Sequence, residues 1–349
     1  MKILVAPLNW GLGHASRCIP LVQQFIDEGH EVIIAGDGVS LTLLRRHFPK
    51  LRYVYLAPLN LRYGKGRRQV WAMVKAMPHL LSWAMKDHAL LQAVLREERF
   101  DMVLSDNRFG LYPSKKSNEA NPNLRSVYMT HQLHIFLPRG WRWLERLAER
   151  LHARVCDKYK EVWVPDYEEK ERSLSGELGH PKISNFKFQI SNFRFQISNL
   201  KYIGPQSRFE PYRDVRNGNE MVTEMSSRRT ELYETVAVLS GLEPQRTILE
   251  REIAARYAGK EERVLIVQGL LNRPNTRMKR GNITLVPYLG DEELAGVLHG
   301  ARHIIARSGY STIMDLEALG VLEKAELIPT PGQSEQEYLA FWAQKRIIK

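Results

Sequence analysis

Cysteine is scarce in this chain, which contains Cys18 and Cys156 and no other. Two cysteines without metal-like spacing argue against a disulfide framework or a zinc site, and they fit a reduced, cytoplasmic environment. No apolar run approaches the roughly 18 residues that span a bilayer. The apolar part of the N-terminus is too short, and too soon broken, to be a signal peptide. We therefore expect a soluble cytoplasmic protein, and its 349 residues leave room for two domains.

Acidic residues are outnumbered, because 51 Lys and Arg stand against 39 Asp and Glu and give a net charge of +12. Essentially all of this excess lies in residues 1–204, whereas residues 205–349 are balanced. A basic half favours an anionic partner, such as a phosphate group or a membrane surface. Nucleic acid is not expected, because no helix-turn-helix, zinc-finger or RNA-binding aromatic signature is present.

Short apolar segments alternate with amphipathic segments in both halves of the chain. Strands are expected at 2–6, 31–35, 53–57, 101–105, 126–130 and 161–165, and then at 235–241, 263–269, 282–288, 303–309 and 325–330. Such alternation gives parallel sheets covered by helices. The pattern predicts an α/β protein with two Rossmann-like domains, 1–204 and 233–349, joined by a polar linker at 205–232. Ligands bind where the carboxyl ends of such strands face a cleft.

Residues 183–199 interrupt the first domain with near-copies of a seven-residue unit, ISNFKFQ and ISNFRFQ, and a third copy, ISNLKYI, follows on from them. The period is too short for a solenoid. Phe186, Phe188 and Ile190 alternate as in a strand, with Ser-Asn as the turn. We interpret the segment as a tandem duplication within a loop, without a role in function, that forms a hairpin or an aggregation-prone stretch.

The first candidate binding motif is GLGHASR, which begins at Gly11 directly after the first expected strand. Gly11 and Gly13 would let the backbone approach a ligand, and the helix N-terminus beyond them offers free N–H groups to an anion. His14 lies at the tip of the turn, where a near-neutral pKa suits a general base. The alternative is an ordinary strand-to-helix turn with a surface histidine.

A second motif, ARSGYSTIMDLEALG, occupies 306–320. Ser308 and Gly309 end a strand, and either Ser311 or Thr312 could cap the next helix. Such a turn can hold a diphosphate by backbone and hydroxyl donors. Asp315 follows one turn into the helix, within reach of ribose hydroxyls. In the alternative interpretation Thr312 and Asp315 are a capping pair, and Arg307 is a solvated charge.

The third motif is TPGQSEQEYLA, at 330–340. Gln333, Gln336 and Glu337 crowd the start of a helix after a strand, where amides and a carboxylate suit the hydroxyls of a sugar. An ordinary polar first turn is the alternative.

Together the three motifs, in this order and spacing, resemble glycosyltransferase family 28, whose best-known branch is the MurG-type N-acetylglucosaminyltransferases. The resemblance implies a GT-B fold, an N-terminal acceptor domain and a C-terminal domain that binds a UDP-sugar as co-substrate, with no metal and no other cofactor. His14 would stand at the reaction centre. The remaining implied roles place Ser308 and Gly309 at the diphosphate, Asp315 at the ribose, Gln336 and Glu337 at the donor sugar, and Tyr288 and Leu289 at the uracil.

The resemblance also assigns LSGLEPQR, residues 239–246, to the first turn of the donor domain. Ser240, Gly241 and Gln245 there are expected to contact phosphate or sugar, and Arg307, Thr312 and Gln333 complete the expected nucleotide-sugar site. The segment GLGHASRC also resembles a loop of the UDP-sugar hydrolase of pseudaminic acid synthesis, which gives the sugar to water. A nucleotide-sugar-binding protein without catalysis is a third alternative.

Two segments of the first domain end strands on the acceptor side of the expected cleft. Asp106, in SDNRFG, could assist His14 or bind acceptor, and His131, in MTHQLHI, could contact acceptor; a structural turn and a loop histidine are the alternatives. The expected reaction moves a sugar, an N-acetylhexosamine, from a UDP-sugar to an unidentified, lipid-linked acceptor, with inversion. No Asp-x-Asp motif appears, which fits a helix terminus rather than a cation at the diphosphate.

Basic and aromatic residues are interleaved in two further stretches of the first domain. Five basic residues and no acidic one lie between Arg62 and Lys75, next to the apolar segment 70–85, and the second stretch is 138–155. Trp71, Val74, Leu81 and Met85 could share one side of a helix that Pro78 would kink. This composition is typical of an interfacial helix and predicts peripheral binding to the inner face of the plasma membrane. The alternative is a core helix with a solvated basic face.

Overall fold

A computed structural model describes residues 1–59, 69–181, 199–217 and 233–348 of the protein. The repeat residues 183–198 and the linker residues 218–232 lie outside this description. So do Arg62, Lys65, Arg67 and Arg68, and the side chains of Trp71, Val74 and Lys75.

In the part of the chain that the structure describes, seven parallel strands form the first sheet, in the order β3-β2-β1-β4-β5-β6-β7. They are β1 (Lys2–Pro7), β2 (Glu31–Gly36), β3 (Arg52–Tyr55), β4 (Met102–Asp106), β5 (Arg125–Met129), β6 (Glu161–Val164) and β7 (Leu200–Tyr202). The central strand β1 places Val5 opposite Ile34 on one side and Leu104 on the other. All three side chains are buried, as expected for a parallel sheet with both faces covered.

Within the described residues, five helices connect these strands. They are α1 (Gly13–Asp27), α2 (Gly38–His47), α3 (Gln69–Glu97), α4 (Lys115–Ala120) and α5 (Glu145–Cys156), and a 3₁₀ helix at Arg139–Leu144 precedes α5. Helix α1 buries Cys18, Leu21, Val22 and Phe25, which lie on one face at helical spacing. It ends before Gly29, whose φ of 77° is the left-handed conformation that glycine adopts readily after a helix.

Among the described residues, six strands form the second sheet, in the order β10-β11-β9-β8-β12-β13. They are β8 (Thr235–Val238), β9 (Val264–Val267), β10 (Met278–Arg280), β11 (Ile283–Val286), β12 (His303–Arg307) and β13 (Ala325–Ile328). The short edge strand β10 is antiparallel to β11, and the other pairs are parallel. The helices are α6 (Gln245–Tyr257), α7 (Asp291–Gly300), α8 (Tyr310–Ala318) and α9 (Ser334–Ile347), with 3₁₀ helices at Glu210–Asn217 and Leu322–Lys324.

The two halves meet where the carboxyl ends of their strands face each other. Helix α1 contacts helix α8, and Ser311 Oγ donates a 2.9 Å hydrogen bond to the carbonyl oxygen of Gly13. Every strand expected from the sequence is present. Strand β7, within the last repeat unit, and strand β10 were not expected. Helix α3 continues through Pro78. No helix in the described part of the chain is long and apolar enough to cross a membrane.

Candidate functional site

A cavity of about 1620 Å³ lies between the two sheets. The first half contributes the turn after β1, the first turn of α1 and the ends of β4 and β5. The second half contributes the turn after β8 and the starts of α8 and α9. The cavity therefore lies at the carboxyl ends of both sheets, where ligands bind in open α/β folds.

His14 and Asp106 form a pair in the wall of this cavity. His14 lies in the first turn of α1 and lines the cavity, and Asp106 ends β4 and is fully buried. The His14 Nδ1 and Asp106 Oδ1 atoms are 3.2 Å apart. Although burial opposes it, the Arg17 guanidinium and His14 hold the pKa of the Asp106 carboxyl well below its usual range. The pair thus joins a partly open imidazole to an ionised carboxylate.

Burial lowers the pKa of His14, and Arg17 lowers it further while Asp106 acts in the opposite direction. The imidazole is therefore neutral at physiological pH, which is the state that a general base requires.

His131 joins the same network from the end of β5. Its Nδ1 is 2.9 Å from Arg17 Nη1, and its Nε2 is 2.8 Å from Glu335 Oε1 on helix α9. Arginine can only donate, so Nδ1 accepts and Nε2 carries the proton given to Glu335. The ring also stacks on Tyr310, with centroids 4.3 Å apart. His131 lines the cavity, as the acceptor hypothesis requires, but both ring nitrogens are held by protein groups.

The glycines of the first motif have a role that the sequence did not indicate. A side chain on Gly13 would come within 3.0 Å of Ser311 Oγ, and one on Gly11 within 3.5 Å of the Gly241 backbone. Gly11 has a φ of 78°. Both residues line the cavity, but their absent side chains also allow the two halves to approach each other.

Helix α8 begins after Gly309, which occupies the N-cap without a side-chain cap. Ser311 donates to Gly13 instead of capping α8, so the capping role expected of Ser311 or Thr312 is wrong, and so is the alternative Thr312–Asp315 capping pair. Gly309 and Thr312 line the cavity. The start of α8 therefore presents backbone N–H groups, together with the helix dipole, to the cavity.

Asp315 lies one turn further along α8, where its carboxylate lines the cavity. Ser207 Oγ donates a 2.6 Å hydrogen bond to Asp315 Oδ1, and Ser16 Oγ a 3.4 Å bond to Oδ2. Burial raises the pKa of Asp315 to about 6, although Arg208 opposes the shift. Sequence reasoning assigned Ser207 and Arg208 to a linker. Their polarity alone gave no signal, because the chain brings them beside Asp315 only when the two halves fold.

Arg307 and Ser308 require a correction, because neither side chain reaches the cavity. Arg307 is buried and donates to the carbonyl oxygens of Pro329, at 3.0 Å, and Gln245, at 2.9 Å. It is therefore neither a ligand nor a solvated charge. Ser308 is fully buried and donates a 2.8 Å bond to the carbonyl oxygen of Gln336. Both side chains instead join β12 to neighbouring segments.

In the third motif, the acidic residue that lines the cavity lies two positions earlier than expected. Glu337 is exposed and outside the cavity, whereas Glu335 lines it. Successive helix residues turn by about 100°, so these two positions lie on different sides of α9. Gln333 and Gln336 also line the cavity, although the Gln336 side-chain oxygen accepts a 2.8 Å bond from the Thr330 backbone N–H. Glu335 is thus the acidic residue at the cavity that the sequence interpretation missed.

The remaining residues expected at the nucleotide also lie at the cavity. Ser240, Gly241 and Gln245 line it at the turn after β8. Tyr288 and Leu289 line it after β11. The Arg46 guanidinium, from α2, lies 4.0 Å from the centre of the Tyr288 ring.

The first half extends the cavity along an apolar wall between α3 and α5. Met77, Leu81 and Met85 of α3 face it from one side, and Leu147 and Leu151 of α5 from the other. These five side chains are all exposed, and Met85 retains 72% of its accessible surface. The expected shared face of Leu81 and Met85 is present, while the side chains of its other two members are outside the described residues. A large exposed apolar surface of this kind marks a binding region.

Within the described ranges, no group of three His, Cys, Asp or Glu side chains is placed to hold a metal ion.

No protein-family model matches the chain. An uncharacterized glycosyltransferase of Methanosarcina acetivorans is 23% identical over 344 residues, which cover 97% of this chain and 82% of that protein. Arabidopsis thaliana UGT89C1, solved with UDP-L-rhamnose, aligns with a TM-score of 0.56 and 14% identity over 97% of this chain and 82% of its own. Phytolacca americana UGT2, solved with UDP-2fluoro-glucose and pterostilbene, aligns with a TM-score of 0.53 and 11% identity over 99% of this chain and 83% of its own. The expected GT-B fold is confirmed.

Proposed function

We propose that this GT-B protein is a glycosyltransferase that moves a sugar from a UDP-sugar to an acceptor hydroxyl, with inversion and without a metal ion. The observation that carries the proposal is the placement of the His14–Asp106 pair on one wall of the cleft, opposite the start of α8 on the other. The Methanosarcina relative is named a glycosyltransferase, and the two plant proteins were solved with UDP-sugars.

The first half supplies the base in this mechanism. His14 removes the proton from the acceptor hydroxyl, and the oxygen attacks the anomeric carbon as the bond to the diphosphate breaks. Asp106 stabilises the imidazolium that forms, because its carboxylate is ionised and lies 3.2 Å away. UDP leaves from the opposite face of the sugar, so the configuration inverts.

The second half holds the donor. The N-terminus of α8, at Gly309, and the turn at Ser240 and Gly241 neutralise the departing diphosphate by backbone N–H groups. Asp315 accepts hydrogen bonds from the ribose, and Glu335 accepts them from the donor sugar. The finer assignment is to family 28 with an N-acetylhexosamine donor, supported by the motifs at 11–17, 306–320 and 330–340.

The apolar wall between α3 and α5 favours an acceptor with a long apolar part, such as a lipid-linked sugar. Trp143 is 74% exposed next to this wall, and Arg142 and Arg146 on either side of it are exposed as well. Basic residues beside exposed Trp and Leu suit an anionic membrane surface, each adding about 1 kcal/mol near anionic lipid. The protein would then act at the inner face of the plasma membrane, where it meets its acceptor.

A donor screen tests the proposed activity. Purified protein is incubated with UDP-N-acetylglucosamine, UDP-glucose and related donors, and UDP release is scored with and without candidate acceptors. Release that depends on an acceptor is expected. Release with water as the only effective acceptor would assign a hydrolase, and binding without release would assign a non-catalytic protein.

Co-sedimentation with anionic vesicles tests the membrane proposal. Salt-sensitive binding is expected, and Trp143→Ala with Arg142→Glu should reduce it. Phe341→Ala is the control, because Phe341 is also exposed but lies on α9 of the other half. The absence of binding at low salt would contradict the proposal.

A further inference from the structure

Arg17 is a charged residue buried at the cleft, with 1% of its surface exposed. Its guanidinium remains charged at all relevant pH values, so a buried position requires partners. Nε donates a 2.8 Å hydrogen bond to Asp106 Oδ2, and Nη2 donates to Asp106 Oδ1. This two-point contact fixes the plane of the carboxylate.

The same guanidinium reaches both histidines of the cleft. Nη2 lies 2.9 Å from His14 Nδ1, and Nη1 lies 2.9 Å from His131 Nδ1. His131 Nδ1 accepts from this guanidinium, so a proton on that nitrogen would place one donor against another. His14 Nδ1 also faces the Asp106 carboxylate, to which it donates when His14 acts as a base through Nε2. The positive charge of Arg17 beside the His14 ring opposes the doubly protonated form of that ring.

Asp106 acts on His14 in the opposite direction. Its Oδ1, which can only accept, lies 3.2 Å from the same His14 Nδ1. The charged and titratable groups that face His14 are Arg17 on α1, Asp106 on β4, His131 after β5 and Glu335 on α9. Two anions favour an imidazolium at position 14, and Arg17 is the group that counters them with a permanent charge.

We propose that Arg17 is a positioning residue that holds the Asp106 carboxylate, keeps His14 neutral and fixes His131 with its proton on Nε2. It touches no reacting atom in this role. Its consequence for the reaction, that His14 is available as a base at neutral pH, rests on the proposed transferase function. The hydrogen-bond arrangement itself does not depend on that function.

Nuclear magnetic resonance of the histidine rings tests this arrangement without any substrate. The full chain is labelled with ¹⁵N in its histidines, and the His14 and His131 signals are assigned from His14→Gln and His131→Gln. In Arg17→Gln, Asp106 loses its buried cation, so the pKa of His14 should rise by about 1 to 3 pH units, the usual effect of an unopposed neighbouring carboxylate. In Asp106→Asn it should fall. An unchanged or lower His14 pKa in Arg17→Gln would overturn the proposal.

The unmodified protein gives a second, independent result if Arg17→Gln does not fold. The pKa of His14 should lie below 6.5, the ordinary value for histidine. The His131 ¹⁵N shifts should show a protonated Nε2 and an unprotonated Nδ1. A His14 that titrates at or above 6.5, or a His131 protonated on Nδ1, would overturn the proposal. Failure of every donor in the activity screen would reject the proposed function and leave these ring measurements interpretable.

Discussion

We expect Asp315 to make the nucleotide affinity of the cleft depend on pH. Burial raises the pKa of this carboxyl to about 6 in the unliganded protein. Ribose hydroxyls donate more strongly to an ionised carboxylate than to a protonated one. The ligand therefore binds preferentially to the deprotonated form, and affinity should be constant above pH 7 and fall as the pH drops through about 6.

The size of the expected change in affinity follows from the hydrogen bonds that the Asp315 carboxylate can make to a ribose. Oδ1 is held by Ser207 at 2.6 Å, while Oδ2 has the longer 3.4 Å bond to Ser16 and is the oxygen more available to a ribose. Hydrogen bonds to charged groups contribute about 1–3 kcal/mol. This corresponds to a loss of roughly 5- to 150-fold in affinity on Asp315→Ala.

Uridine is the suitable probe for the pH dependence, because the terminal phosphate of UDP has a pKa near 6 of its own. Calorimetric titrations at pH 5, 6, 7 and 8 should show uridine affinity falling at the acid end. Asp315→Asn keeps the size of the side chain and should remove the pH dependence. A pH-independent affinity in the unmodified protein, or the same dependence in Asp315→Asn, would refute the role of this carboxylate.

Three further predictions follow from the cleft and its surroundings. His14→Ala should leave UDP affinity nearly intact but lower turnover about 10²–10⁴-fold, the usual contribution of a positioned acid–base group, and a normal rate would make His14 structural. Glu335→Gln should weaken UDP-sugar binding more than UDP binding, while Glu337→Gln, on the exposed side of α9, should change neither. If calorimetry shows that the two substitutions have equal effects on UDP-sugar binding, the assignment of Glu335 is contradicted. Deletion of 183–196 should preserve folding and activity, because long surface insertions contribute little to stability and β7 is retained; loss of soluble protein would show that the repeat is part of a core.

Much of the fold could be predicted from local patterns. The strand β1, the glycine-rich turn and the amphipathic face of α1 all follow from short-range periodicity, which determines local structure wherever one side of an element is buried. The edge strands β7 and β10 could not be predicted in this way, because each has only three residues, exposed or partly exposed, that carry no distinct pattern.

The candidate site was predictable by segment but not always by side chain. His14 and Asp315 line the cavity because they lie in the first two turns of helices that follow strands, and Asp106, at the end of β4, is buried beside His14. Which of Glu335 and Glu337 faces the cavity depends on the start of α9, and helix boundaries are uncertain by a residue or two in sequence patterns. The role of Arg17 could not be predicted, because its partners Asp106 and His131 lie 89 and 114 residues away along the chain and become its neighbours only in the folded protein.

The most direct test of the proposed donor site is a calorimetric titration of the protein with UDP in the presence of EDTA. We expect binding at micromolar level that magnesium does not improve, because in our proposal the helix N-terminus at Gly309 and the backbone of the turn at Gly241 neutralise the diphosphate. No binding of UDP, or binding that appears only when magnesium is added, would contradict it.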